Sequence, residues 1–237
     1  MKLALASTLV ISVLALCACS VPTPPKAVSS LDTLLPHPTG RSNTTEVKSG
    51  PGVALGVIYS PSTQINREYL RDYQANAGTG FGQSLLVQPI HDAYVASSKP
   101  DMAVDWVNAS LQRQFGSVTV YPDTQSLRAA RPDVVAIVDT HSQLTTSRSS
   151  DIKADVSADF YDVQLNYIGT AKGSDAKELT QLWADFKRSE EIIADITQQQ
   201  DVQVRALQNF DQPLSNLLTR PTRKVSMLDN TQAKKLY

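Results

Sequence analysis

Cysteine is almost missing from this chain. There are two in 237 residues, Cys17 and Cys19, both at its start. Everything after residue 19 therefore lacks a disulfide and lacks thiol chemistry. Its stability must come from packing and hydrogen bonds. Histidine is scarce too, with only His37, His91 and His141. None belongs to an H-x-x-x-H pair, and there is no Asp-rich calcium loop, so neither a structural metal nor a cofactor is expected. An excess of positive charge is also lacking. The formal net charge is -1, which argues against a general nucleic-acid binder. After the first eighteen residues no long apolar run recurs, so the remainder is expected to be water-soluble.

Catalytic patterns are equally thin. Gly78-Thr79-Gly80-Phe81-Gly82 has Gln83 where a dinucleotide loop needs its third glycine, and no strand precedes it. No Gly-x-Ser-x-Gly elbow occurs. Asp133, Asp139, Asp155, Asp159 and Asp162 lie in or beside expected strands. Two of them meeting in a cleft could do acid–base work. Spread along strands, they read as solvent-facing positions. A cluster among Asp139, His141 and Asp159 would reopen the case for a hydrolase. As it stands, the expectation is a non-enzyme.

What is present is a leader. Met1-Lys2 supplies a positive start, and an apolar run follows from Leu3 to Ala18. The run is too short to span a bilayer, which needs ~20 apolar residues, and fits a secretory h-region. Leu16-Cys17-Ala18-Cys19 resembles the bacterial lipobox: a large aliphatic residue three before the cysteine and a small one just before it. Cys17 fails this test because Leu16 precedes it. The resemblance implies that residues 1–18 are removed and that Cys19 carries several acyl chains of the palmitate kind, giving a stable anchor. Ser20, rather than Asp, follows the cysteine. By resemblance to enteric-type sorting this implies the periplasmic face of the outer membrane. A plain signal peptide cleaved elsewhere, or an uncleaved anchor, is the alternative, but no Ala-x-Ala site lies near the end of the run.

Residues 19–52 are rich in Pro, Ser, Thr and Gly and read as a lipidated tether, reaching at most about 100 Å when extended. Residues 53–219 should form one domain, and the basic stretch 220–237 a disordered tail. Within the domain, Val53–Tyr59 reads as a buried strand and residues 60–80 as polar and irregular. Helices are expected over 83–97 and 102–115, with Asp101 as a cap, then a strand at 117–121 and a short helix over 123–130. Asp133–Asp139 is an apolar strand buried on both faces, extending toward Thr146. An antiparallel hairpin should pair 152–165 with 167–171 around a turn at Asn166. A long helix should start from a capping box at Asp175–Glu178. Its stripe of Leu179, Leu182, Phe186, Ile193, Ile196, Leu207, Phe210, Leu214 and Leu217 weakens at Gln198-Gln199-Gln200, and Pro213 should kink or end it.

The expected fold class is therefore α+β: a small mixed, largely antiparallel sheet with helices packed on it and a long C-terminal helix. In Asp133–Asp139, in Phe160-Tyr161-Asp162 leading to Tyr167-Ile168-Gly169, and in the final helix, the chain is similar to bacterial accessory lipoproteins. These include transport-associated auxiliary lipoproteins, penicillin-binding-protein activators and the curli secretion lipoprotein. No functional residue of theirs carries over. The resemblance implies an accessory or assembly factor with a protein partner in the envelope. Its candidate surface is the sheet edge at Tyr167 and Ile168 and the helix face at Phe210. Oligomeric state is not legible. The alternative is a module that binds a lipid or other apolar ligand.

Overall fold

A computed structural model describes residues 24–25, 34, 40, 42–76, 87–146, 149–179 and 187–219. Cys19, the leader and the expected tail lie outside them. The described chain runs β1 (Val47–Lys48), β2 (Gly50–Tyr59), α1 (Pro61–Ala75), α2 (Gln88–Ser97), α3 (Met102–Gln112), β3 (Phe115–Val120), α4 (Thr124–Ala130), β4 (Val134–Gln143), β5 (Asp151–Tyr161), β6 (Tyr167–Glu178), α5 (Ser189–Leu217) and β7 (Leu218–Thr219). It is an α+β fold with a long C-terminal helix, as the sequence suggests.

The main sheet has the order β3-β2-β4-β5-β6. β2 pairs parallel with β3 and β4, and β5 pairs antiparallel with β4 and β6. β4 is thus the central strand. This is why Val134–Val138 is apolar without alternation: both of its faces are covered. One face packs Leu55, Val57, Ala136, Val138, Ala158 and Phe160 against Val107 and Leu111 of α3 and Leu207, Phe210 and Leu214 of α5. The other packs Ile58, Val135 and Ile137 against Leu127 of α4, with Tyr161 and Leu165 alongside. Beyond Asp139 this second face turns polar and half-exposed, which an antiparallel β4-β5-β6 segment tolerates.

Four expectations need correction. Residues 61–75 form a helix, not an irregular segment. Ser60 caps it, with Thr63 N–H donating to Ser60 Oγ at 3.1 Å, and Pro61 suits its first turn. Its buried face includes Thr63, Asn66, Tyr69 and Tyr73, so a search for apolar periodicity passes over it. Second, the supposed capping box at Asp175–Glu178 is strand. Ala154 pairs with Asp175 and Asp151 with Glu178, and this ladder overrides local helix preference. The helix starts at Ser189 instead, with Glu191 accepting from the Arg188 amide at 3.3 Å. Leu182 and Phe186 lie outside the described residues. Third, strand structure begins at Val47 and Gly50, inside the stretch assigned to the tether, because β1 pairs with β7 and Gly50 N–H donates to Gln114 O at 2.8 Å. Fourth, Asp101 stands at the α3 N-cap, but its carboxylate takes the Arg67 Nε–H at 2.6 Å rather than capping. Pro213 sits within α5 four residues before its end and does not stop it.

α1 has a specific structural task. β2 ends at Tyr59, opposite Val138, so β4 continues without a strand on that side. The helix supplies the missing partners. Thr140 N–H donates to Thr63 Oγ1 (2.9 Å), Ser142 N–H to Asn66 Oδ1 (2.8 Å) and Leu144 N–H to the Tyr69 hydroxyl (3.1 Å). Alternate strand amides are met by helix positions three apart. A strand advances ~6.6 Å per two residues and a helix only ~4.5 Å per three. The growing reach from Thr to Asn to Tyr compensates for that mismatch. An edge that would otherwise invite another chain is thereby closed.

Candidate functional site

The residues expected to form a partner surface do not lie together on one. Phe210 is fully buried and Ile168 nearly so, both in the core between the sheet and α5. The reason is Gly173 on β6. A Cβ there would stand 2.2 Å from Ala206 O and 2.3 Å from Phe210 N, so the absence of a side chain lets α5 lie directly on the strand. Tyr167 is half-buried, and the edge beside it is already taken. Ser42 N–H donates to Tyr167 O (2.8 Å) and Tyr167 N–H to Gly40 O (3.1 Å). The chain's own N-terminal segment covers that edge, by the backbone pairing a partner strand would use. Cys19 lies outside the described residues.

The same N-terminal segment touches the domain elsewhere. Pro25 O lies 2.6 Å from His141 Nε2. Leu34 packs against the Ile58, Leu127 and Val135 cluster.

The Asp and His residues do share a face. β4 and β5 are registered so that Asp139 faces Ser157 and His141 faces Asp155, with Asp159 opposite Ile137. Burial raises the pKa of Asp139, and the negative charges of Asp159 and Asp155 raise it further, against lowering by the Ser60 hydrogen bond and His141. Burial likewise raises Asp159, against the Thr170 hydrogen bond. Each carboxylate also has a hydroxyl or ammonium partner. Ser60 Oγ donates to Asp139 and accepts from Thr63 N–H, so the hydroxyl is spent as a cap. Thr170 Oγ1 donates to Asp159, and Lys153 Nζ lies 2.8 Å from Asp155. Ser60 is fully buried with its hydroxyl donating to Asp139, and the His141 ring contacts the Pro25 carbonyl rather than either carboxylate. Among the described residues no group of three or more His, Cys, Asp or Glu is placed to hold a metal ion.

An open apolar feature lies at the carboxyl ends of β2 and β3. A groove of about 710 Å³ is lined by Leu34, Ile58, Tyr59, Ile65, Val120 and Tyr121, among others. Ile65 is 48% and Val120 50% exposed, values that mark this as apolar surface presented to solvent. β3 is the sheet's other edge. Among the described residues it pairs with β2 alone, and its Ser117, Thr119 and Val120 are exposed. The sequence reading expects this strand, at 117–121, but not its edge as a contact surface. Its signal was a short, exposed Ser-Val-Thr-Val strand leading into Tyr121-Pro122.

No family model matches the chain, and no curated protein matches it. Among solved structures, it is similar to the PelC dodecamer from Paraburkholderia phytofirmans in a leucine-to-methionine variant. The identity is 14%, over 68% of this chain and 96% of that one, with a TM-score of 0.31. A second PelC dodecamer structure from the same organism gives 14% identity, 69% and 92% coverage and a TM-score of 0.27. Likeness at this level carries no argument about this chain. Among the described residues no helix is long and apolar enough to cross a membrane.

Proposed function

We propose that this protein is a bacterial envelope lipoprotein, held by lipid on Cys19 at the periplasmic face of the outer membrane. In this reading it works as a non-enzymatic accessory or assembly factor for an envelope machine. The observation that carries the contact role is the open apolar groove beside the β3 edge, unpaired among the described residues, with Ile65 and Val120 half-exposed. A strand of a protein partner added to β3 would satisfy its outward amides and carbonyls, and its alternate side chains would enter the groove. The occupied Tyr167 edge moves the contact surface from the C-terminal hairpin to the opposite side of the sheet.

The test is crosslinking in intact envelopes with wild type, Cys19→Ala and Ile65→Asp/Val120→Asp. Both groove positions are exposed, so the double variant should fold. Wild type is expected to capture one defined protein that both variants lose. Equal capture by the groove variant would remove the groove from the contact, and capture of nothing by wild type would end the accessory reading.

A further inference from the structure

A second hollow lies on the same sheet face as that groove, against the same cluster of Ile58, Leu127 and Val135. α4 and the β5–β6 loop enclose a pocket of about 480 Å³, within the ordinary range for small-molecule sites. Leu127, Val135 and Leu165 are buried and form its apolar base. Val163, 51% exposed, and the guanidinium-bearing Arg128 and Arg131 stand at its rim.

Two independent observations single this pocket out. The first is backbone conformation. Among the described residues only two non-glycine residues have positive φ, Arg131 at 49° and Leu165 at 64°. Both line this pocket, from two different loops. Arg131 is the left-handed C-cap of α4, its N–H donating to Leu127 O at 3.2 Å. Glycine is the usual residue at such a position because it meets no Cβ penalty there. Leu165 closes a loop organised by Asp162, whose Oδ1 accepts from Gln164 and Asn166 amides, each at 2.9 Å. Strained residues gathered at one site point to a role for their side chains.

The second is charge. Arg67, Arg113, Arg188 and Arg205 each meet a carboxylate. Arg71, Arg128 and Arg131 meet none among the described residues, and of these only Arg128 and Arg131 stand together at a pocket. The acids nearest in sequence are engaged elsewhere, Asp123 Oδ1 accepting from Ser126 N–H at 2.7 Å and Asp133 Oδ2 from Ala54 N–H at 2.8 Å, and Asp162, next to the pocket's Val163, holds its own loop. Two uncompensated guanidiniums above an apolar base complement a molecule that is anionic at one end and apolar at the other.

We propose that this pocket binds an amphipathic anion, an acyl chain bearing a carboxylate or phosphate head. The head sits between Arg128 and Arg131, and the chain lies over Leu127, Val135 and Val163. This gives the apolar-ligand expectation a definite place. It is independent of the partner-surface proposal, because the groove beside β3 shares no lining residue with the pocket.

The test is calorimetric titration of the full mature chain carrying Cys19→Ser, with decanoate, dihexanoyl phosphatidylglycerol, octanol and inorganic phosphate as probes. Sedimentation with phosphatidylglycerol and phosphatidylcholine vesicles accompanies it. One-to-one binding of the anionic amphiphiles is expected, with octanol and inorganic phosphate much weaker. Arg128→Gln and Arg131→Gly should each weaken it about tenfold, the loss expected for one charged hydrogen bond. Arg131→Gly removes backbone strain together with charge, so it should bind less tightly while melting no lower than wild type. Binding of the soluble probes supports a free amphiphile as ligand. Binding only to phosphatidylglycerol vesicles, lost in both variants, supports a bilayer lipid. Binding of no probe, or equal binding by wild type and both arginine variants, overturns the site.

Discussion

The Tyr73 hydroxyl on α1 lies 3.0 Å from Oε1 of Gln199 on α5, 126 positions later in the chain. Both residues are fully buried. The same Oε1 accepts from Thr145 N–H (2.8 Å) and Thr145 Oγ1 (2.9 Å), while Gln199 Nε2 donates to Ser97 Oγ (3.2 Å). Gln203 Nε2 adds a bond to Ser97 O at 2.7 Å. One polar network thus ties α1, α2 and α5 to the chain just beyond β4. Replacing Gln199 by Leu leaves the Thr145 amide buried without an acceptor, at a cost of about 2–3 kcal/mol, and Tyr73→Phe costs about 1 kcal/mol. Urea unfolding of the two single variants and the double variant checks this. An unchanged or raised midpoint for Gln199→Leu would mean the network adds nothing.

The α1 side-chain ladder on β4 makes a separate prediction. Asn66→Ala strands the Ser142 amide, which is buried, at about 1–3 kcal/mol. Asn66→Asp restores the oxygen acceptor but buries a carboxyl, so it should recover the loss only at acid pH, where that carboxyl is neutral. Because the ladder also covers a strand edge, Asn66→Ala should aggregate faster on heating than a core variant of equal stability. Light scattering at matched unfolded fraction separates the two effects. If the matched core variant aggregates as fast, the ladder has no role in edge protection.

These two features also mark where sequence reasoning stops. β4 was legible because five consecutive apolar residues between Asp133 and Asp139 admit few other readings. The β5–β6 hairpin was legible from its alternation. α1 was not, since its buried face is built from Thr, Asn and Tyr that answer backbone amides, and apolar periodicity carries no trace of that. The weak middle of the last helix has the same cause. Gln199, in the Gln198-Gln199-Gln200 gap of the stripe, is buried because it bonds to Thr145 and Ser97, and Gln203 one turn on bonds to Ser97 as well. At the site level, Phe210 and Ile168 were placed on the surface because a stripe does not say how wide its buried part is. The close approach at Gly173 widens it. Arg128 and Arg131 gave no signal, since a left-handed backbone at a non-glycine residue is visible only in the fold.

Gly173 and Gly169 lie on one strand but should respond differently to a methyl group. At Gly173 the new Cβ would meet α5 backbone at 2.2 Å, and backbone cannot yield locally. At Gly169 it would meet the Leu217 Cδ1 at 2.8 Å, the far end of a flexible side chain. Gly173→Ala is therefore expected to cost about 3 kcal/mol or more, and Gly169→Ala under about 1 kcal/mol. Equal thermal midpoints for the two variants would sink this account of the α5–β6 contact.

Asp139 should make the protein less stable as the pH rises. Its carboxyl titrates above the ordinary 3.8 in the folded state, chiefly because it is half-buried. Below 3.8 it is protonated whether folded or unfolded and contributes nothing to the pH dependence. Between 3.8 and its folded value the native state holds more protons than the unfolded one, so stability falls with rising pH through that window. Asp139→Asn keeps an acceptor for Ser60 Oγ and removes the titration. It should therefore equal or exceed wild type at neutral pH, with the difference vanishing below pH 3.8. Asp139→Ala should lose stability at every pH, because the buried Ser60 hydroxyl loses its acceptor. A neutral-pH loss for Asp139→Asn as large as that for Asp139→Ala would show that the charge itself stabilises the fold.

Arg131 offers the clearest separation of stability from binding. Its left-handed backbone costs an L-residue roughly 1 kcal/mol that glycine does not bear. Glycine is more flexible when unfolded and gives part of that back, so Arg131→Gly should gain between zero and about 1 kcal/mol. For a domain of this size that is a rise of up to about 4 °C in Tm. Arg131→Ala makes the necessary control. It removes the same guanidinium but keeps the Cβ and the strain, so it should melt as wild type does and lose ligand as the glycine variant does. If Arg131→Gly instead melts several degrees below wild type, the arginine side chain is holding the α4 terminus in place. The left-handed position would then belong to the fold, and the pocket would lose one of its two supports.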